Sequence, residues 1–247
     1  MKQRMIWMPA LLLIAGFVPA VAQDEEEAET YVYASYFECD STRLAEVDEL
    51  MGKTAPIYDK AKTDGEIANW GWLRHHTGGK WRRLFYVVGS DANALMDTLD
   101  ALGERTDEVE GADAFGEICG DHEDYVWRQA ANSPVSAADE AGSFGVSQYY
   151  RCSFNGEGFA DSIVESHFAE VFNAHVGEGK LVSWSWLAHQ IGGEFRRLLA
   201  FRAASRADLL NTWGEIVGAL SNEHGGALRA FSDICFAHED YLWMSGS

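Results

Sequence analysis

Cationic side chains are scarce in this sequence. Only 19 Lys and Arg stand against 39 Asp and Glu, giving a formal charge of −20 over 247 residues. A chain this acidic repels phosphate backbones and anionic bilayers, so nucleic acid and membrane surfaces are not expected partners. Basic stretches interleaved with aromatics are also absent. So are the motifs of several common chemistries. There is no Gly-x-Ser-x-Gly, no P-loop, no Gly-x-Gly-x-x-Gly after a strand and no His-Glu-x-x-His. Cys-x-x-Cys-His, which would attach haem covalently, is missing. The four cysteines match no zinc spacing. These absences name no reaction, and they leave open whether the chain is an enzyme.

The one long apolar run lies at the start. Lys2 and Arg4 precede an apolar stretch from Met5 to Ala20, and Ala20-Val21-Ala22 is a small-x-small cleavage site. The run contains Pro9 and is shorter than the ~20 residues a spanning helix needs, so residues 1–22 read as a cleaved export signal. No Cys follows the site, so lipid attachment is not indicated. Cleavage would leave 225 residues and, by removing Lys2 and Arg4, shift the formal charge to −22. The exported chain should be soluble, in the periplasm or outside the cell. Residues 23–30 are acidic and aperiodic, a solvated lead-in.

What the sequence does have is an internal repeat. The stretch Trp70-Gly71-Trp72-Leu73-Arg74-His75-His76-Thr77-Gly78-Gly79-Lys80-Trp81-Arg82-Arg83-Leu84 returns 114 residues later, from Trp184 to Leu198, with nine of fifteen positions identical. Each copy alternates around Gly-Gly and reads as a β-hairpin with a type I′ turn. A second motif, Ile118 to Trp127, returns at a shift of 116 as Ile234 to Trp243, with seven of ten residues identical and His-Glu-Asp-Tyr kept whole.

The surrounding elements return too. An aromatic strand runs from Tyr31 to Cys39, and Asp40 or Ser41 can cap the helix that follows. Leu44, Val47, Leu50, Met51 and Tyr58 make that helix's apolar stripe, which Pro56 is expected to kink or split. After the hairpin, Ser90 can cap a helix carrying Leu95, Met96, Leu99 and Leu102. The chain then reaches Tyr125-Val126-Trp127, a strand whose lead-in fits either helix or loop. Residues 129–146 are rich in Ala, Ser and Gly and read as a linker. The second round has its strand at Gln148–Cys152, and a helix through Ile163, Val164, Phe168, Val171 and Phe172. A hairpin over residues 182–201 follows, with a Ser205/Asp208 capping box before the next apolar stripe. The domain reading is therefore residues 31–128 and 147–247, each able to bury a core.

Each repeat carries two cysteines at matching places. In an oxidising compartment this pairs Cys39 with Cys119 and Cys152 with Cys235.

The order strand, helix, strand, strand, helix, strand is that of the ferredoxin-like βαββαβ unit. Two such units in one chain resemble the dimeric α+β-barrel superfamily in a fused form, over residues 31–128 and 147–244. The resemblance implies an α+β fold in which the two repeats close a barrel about a pseudo-two-fold axis. It also implies a ligand between the two sheets and, as alternatives, cofactor-free monooxygenase or haem chemistry.

Hairpin register sorts the side chains onto faces. Leu73, His75, Arg82 and Leu84 share one, as do Leu187, His189, Arg196 and Leu198. Trp70, Trp72, Arg74, Trp81, Arg83 and Phe85 share the other, as do Trp184, Trp186, Phe195, Arg197 and Leu199. A His beside a guanidinium tends to stay neutral, able to serve as base or ligand, and the Arg can hold a carboxylate bidentately. His75/Arg82 and His189/Arg196 are thus candidate ligand-binding pairs, with structural hydrogen bonding as the alternative. The tryptophans are core under helices, or a stacking platform for a ring. His122 and His238 are further ligand candidates. Their His-Glu-Asp-Tyr motifs read first as a salt-bridge network with Arg83 and Arg197 as candidate partners, and only then as a ligand site or a metal site. His76, His167, His175 and His224 have no counterpart in the other copy. The resulting expectation is an exported protein holding a small anion or carboxylate between its sheets, with no cofactor or metal. The alternatives are a cofactor-free or haem-dependent oxidoreductase or isomerase, and a structural or partner-binding protein without a ligand.

Overall fold

The computed structural model describes residues 29–133 and 144–246. The export signal, most of the acidic lead-in and the middle of the linker fall outside these residues.

The first repeat runs β1 (Tyr31–Glu38), α1 (Leu44–Thr63), β2 (Asn69–Gly78), β3 (Arg83–Gly89), α2 (Ala92–Asp107), α3 (Asp113–Ile118) and β4 (Asp121–Asn132). The second runs β5 (Phe144–Cys152), α4 (Glu157–Ile163), α5 (Ala169–Gly177), β6 (Ser183–Ile191), β7 (Arg197–Ala203), α6 (Arg206–Glu223), α7 (Gly225–Ile234) and β8 (Cys235–Ser245). A π-turn over Val164–Phe168 joins α4 to α5.

All eight strands form one closed antiparallel barrel in the order β1-β3-β2-β8-β5-β7-β6-β4. Each repeat contributes four neighbouring strands in the ferredoxin-like order. The seams are β2 against β8 and β4 against β6. Exchanging the repeats maps the strand order onto itself, so the pseudo-two-fold arrangement implied by the repeat is present. Helices cover the outside, and the apolar side chains divide accordingly. One cluster lies beneath α1–α3, one beneath α4–α7, and a third fills the barrel from Ala34, Tyr36, Leu84, Trp127, Tyr149, Leu198 and Trp243.

Several local expectations need correction. Pro56 lies inside an unbroken α1. Residues 129–132 and 144–146, read as linker, extend β4 and β5. The lead-ins to the last strands, read as helix or loop, are mostly strand: α3 and α7 end at Ile118 and Ile234, and β4 and β8 begin at Asp121 and Cys235. Asp91, not Ser90, caps α2 by accepting from the Ala94 amide at 2.8 Å. The Ser205/Asp208 box does cap α6, the serine Oγ accepting from the Asp208 amide at 3.1 Å.

The hairpin turn also differs from a type I′ turn, in which both central residues have positive φ. Here only the first glycine of each pair does, Gly78 at 130° and Gly192 at 140°. The reason is that β2 does not turn back at once. It continues through Gly78 to pair with Tyr241 across the seam.

Cys39–Cys119 and Cys152–Cys235 are both disulfide-bonded, as the repeat implied. Each ties the end of a repeat's first strand to the junction of its last helix and last strand, closing spans of 80 and 83 residues. Loops of this length restrict the unfolded chain enough to contribute about 4 kcal/mol each in the chain-entropy model. Replacing Cys39 and Cys119 together by Ala should therefore lower unfolding free energy by about this amount, read from urea denaturation. An unchanged midpoint and slope would show that the bond does not stabilise the fold.

Candidate functional site

The barrel has two unlike ends. At one, aromatic rings fill the interior. Trp81 stacks between Tyr36 and Tyr241, with centroids 4.4 and 4.8 Å away, and meets Tyr149 and Phe195 edge-on. Strict alternation along the hairpin would place Trp81 and Phe195 on its helix-facing side. They turn inward because β3 and β7 begin only at Arg83 and Arg197, which frees the preceding residues from that alternation.

The two repeated motifs meet at this end, each against the other repeat's partner. A Cβ on Gly79 would meet the Tyr241 hydroxyl and lie 2.7 Å from its Cζ; Gly193 stands likewise against Tyr125. His75 meets the rings of Tyr241 and Trp243 edge-on, and His189 meets those of Tyr125 and Trp127. Ion pairs close the rim: Lys80 with Glu38 at 2.8 Å and Glu123 at 2.6 Å, and Arg151 with Glu194 and Glu239.

The candidate pairs therefore sit among packing contacts. Arg82 Nη1 lies 3.4 Å from His75 Nδ1, and Arg196 Nη1 lies 2.7 Å from His189 Nδ1. Arg196 is also bound to Glu157, its Nε donating at 2.6 Å. Burial, with the neighbouring guanidinium second, lowers the pKa of both histidines.

His122 and His238 are exposed on the outer face. His122 Nε2 is 3.2 Å from Asp124 Oδ2, and His238 Nδ1 is 2.8 Å from Asp240 Oδ1. Asp124 accepts from Ser35, and Asp240 from Gln148. Arg83 and Arg197 do not reach the His-Glu-Asp-Tyr motifs. They are buried beneath helices, where Arg83 forks onto Asp48 at 2.7 and 2.8 Å and Arg197 forks onto Asp161 at 2.7 Å through both nitrogens. The same carboxylates accept from Trp72 and Trp186. These tryptophans, with Trp70 and Trp184, pack in the helix-covered clusters, so they form no exposed stacking platform.

Beyond the aromatic plug the barrel holds a cavity of about 450 Å³. Its walls include Val32, Leu73, Leu84, Val146, Leu187 and Leu198. None of His75, Arg82, His189, Arg196, His122 and His238 lines it. Its floor is a two-fold set of polar aromatics: Tyr36 and Tyr149, with Trp127 and Trp243, all at most 1% exposed. The Tyr36 hydroxyl neighbours the Tyr149 hydroxyl and the Trp127 indole, and Tyr149 neighbours Trp243. Yet none of these four polar atoms completes a hydrogen bond of normal geometry. Further out, Tyr86 and Arg202 face the cavity, where their two-fold counterparts are Ala200 and Val88.

The sequence signal for this cavity is the hairpin register. The face carrying Leu198 leads toward the tip, to Arg196. In the other direction the same face passes Ala200 and ends at Arg202.

No protein-family model matches the chain, and no curated protein matches its sequence. Solved structures do match in fold. A monooxygenase-like protein from Fusobacterium nucleatum superposes with a TM-score of 0.61 at 10% identity, over 90% of this chain and 94% of that one. An anthrone oxidase-like protein gives 0.59 at 12% identity, over 89% and 92%. A haem-binding protein from Thermus thermophilus gives 0.50 at 11% identity, over 88% and 91%. The fold is the ferredoxin-like α+β barrel. At these identities the likeness reaches no further than the fold.

Haem does not fit the barrel cavity. The lining offers iron no imidazole, thiolate or thioether. Burial holds the phenols of Tyr36 and Tyr149 above their ordinary pKa, so neither is poised as a phenolate ligand. Among the described residues, no group of three or more His, Cys, Asp and Glu is placed to hold a metal ion.

The lowered pKa values of His75 and His189 carry a sign. Between the folded pKa and the ordinary value near 6.5, the unfolded chain binds more protons, so stability rises with pH there. Acidification from pH 7 to 5 should lower the melting temperature. A His75→Gln/His189→Gln variant should lose part of that dependence. Parallel pH profiles for the two proteins would show that these imidazoles do not carry it.

Proposed function

We propose that this chain is an exported protein that binds a small organic molecule in the barrel cavity and carries out no chemistry on it. The observation that supports this most is the cavity floor. Two phenols and two indole N–H groups lie buried at the bottom of the chamber, near one another and Ser147 but without a hydrogen bond of normal geometry, an arrangement that an acceptor on a bound molecule would complete. The volume lies within the range of small-molecule pockets.

Catalysis is the second reading, drawn from the names of the monooxygenase-like and anthrone oxidase-like structures. Proton abstraction needs a base with a pKa near the working pH. The cavity lining contains no Asp, Glu or His, and burial pushes its phenols upward. This favours binding over turnover.

Export rests on the apolar N-terminal run and on the two disulfides, which persist in oxidising compartments. Among the described residues no helix is long and apolar enough to cross a membrane.

Native mass spectrometry of the protein isolated from its exported location tests this proposal. The spectrum should show a chain beginning at Gln23 and a retained small mass. The mass should be missing from Ala200→Trp, whose indole would fill the cavity. A wild-type spectrum without any retained mass, together with no heat of binding from a panel of aromatic acids and phenols, would overturn the reading.

A further inference from the structure

Beyond its floor the cavity lining carries neutral polar side chains, among them Asn69, Gln129, Asn132, Ser147, Ser183 and Ser185, and a single charged one, Arg202. The floor presents indole N–H and phenol O–H groups, which suit an oxygen acceptor. The outer end presents the guanidinium of Arg202 with the Tyr86 hydroxyl nearby. Arg202 has no ion pair among the described residues, which is also true of Arg74, Arg82, Arg128, Arg206 and Arg229, but none of those lines the cavity. A guanidinium without an ion pair, the single charged side chain of the cavity lining in a chain of formal charge −20, is a local reversal of sign that suits one carboxylate.

The separation follows from strand geometry. Tyr149 pairs with Leu198, and Gly145 pairs with Arg202. Tyr149 and Arg202 are therefore four residues apart in register on β7, roughly 13 Å at strand rise, while Trp243, which also pairs with Gly145, starts level with Arg202. Leu73, Leu84, Leu187 and Leu198 wall the space between Tyr149 and Arg202.

Resting on the binding reading above, we infer that the ligand is an elongated, apolar-bodied monocarboxylic acid with a second oxygen at its far end. Its carboxylate would lie on Arg202, and its distal oxygen on the Tyr36, Tyr149, Trp127 and Trp243 quartet. Pseudo-symmetry argues for one orientation. The floor is two-fold and accepts the oxygen from either repeat. The outer end is not, because Val88 and Ala200 replace Arg202 and Tyr86 on the opposite side.

Calorimetric titration with three probes tests this: 4′-hydroxybiphenyl-4-carboxylate, biphenyl-4-carboxylate and 4-hydroxybiphenyl. The first should bind at least tenfold more tightly than either of the others. Arg202→Gln should weaken both acids at least tenfold and leave 4-hydroxybiphenyl unchanged. Tyr149→Phe should weaken the two hydroxyl-bearing probes and leave biphenyl-4-carboxylate unchanged. Tyr36→Phe repeats that arm should Tyr149→Phe fail to fold. Equal binding of all three probes, or binding indifferent to Arg202→Gln and to the Tyr variants, would overturn the ligand class while leaving the cavity a binding site. No binding of any probe, together with wild-type spectra that show no retained mass, would overturn both.

Discussion

Two tyrosine rings lying over two glycine pairs hold this molecule together. Tyr241 reaches from β8 across the seam onto Gly78 and Gly79 of the first hairpin, and Tyr125 reaches from β4 onto Gly192 and Gly193 of the second. A side chain at the second glycine would occupy the ring's place, and at the first the backbone adopts a φ that side chains resist. Each repeat thus supplies the ring for the other's turn. Two sheets, each with two exposed edges, become one barrel without edges, and the buried seams stabilise both halves together.

The rim pairs show how the halves have diverged without losing this lock. Lys80 in the first hairpin corresponds to Glu194 in the second, while Glu38 on β1 corresponds to Arg151 on β5. Both sites changed sign, and an ion pair remains at each end of the exchange. The plug beneath them diverged in shape, Trp81 against Phe195, and Trp81 takes the stacked position between Tyr36 and Tyr241. Divergence at the other end had no such constraint. There Tyr86 and Arg202 stand opposite the small or apolar Ala200 and Val88, so the cavity's one charged side chain belongs to one repeat.

The repeats, the element order, the disulfides and the hairpin register were all legible in the sequence, because each rests on local spacing or on a pattern that occurs twice. The site was less so. The duplicated motifs place His75, Arg82 and their counterparts beside the aromatic plug and His122 and His238 on the outer face, away from the barrel cavity. Arg83 and Arg197 bind Asp48 and Asp161, which lie on helices outside either motif, so no spacing near the arginines pointed to them. Arg202 stands out only once the barrel has closed, since in the sequence it is a single cation at a strand end. The inward turn of Trp81 depends on β3 beginning only at Arg83, where its pairing with Phe37 of β1 and Arg74 of β2 starts.

The central claim is that the reciprocal ring-on-glycine contacts make the two repeats one cooperative unit. Differential scanning calorimetry of the disulfide-intact protein and of Gly79→Ala tests it. The account predicts a single transition in both, with calorimetric and van't Hoff enthalpies in agreement. In the variant, the whole transition should move to lower temperature. Two resolved transitions in the wild type, or a variant in which only one half of the heat absorption shifts, would contradict it.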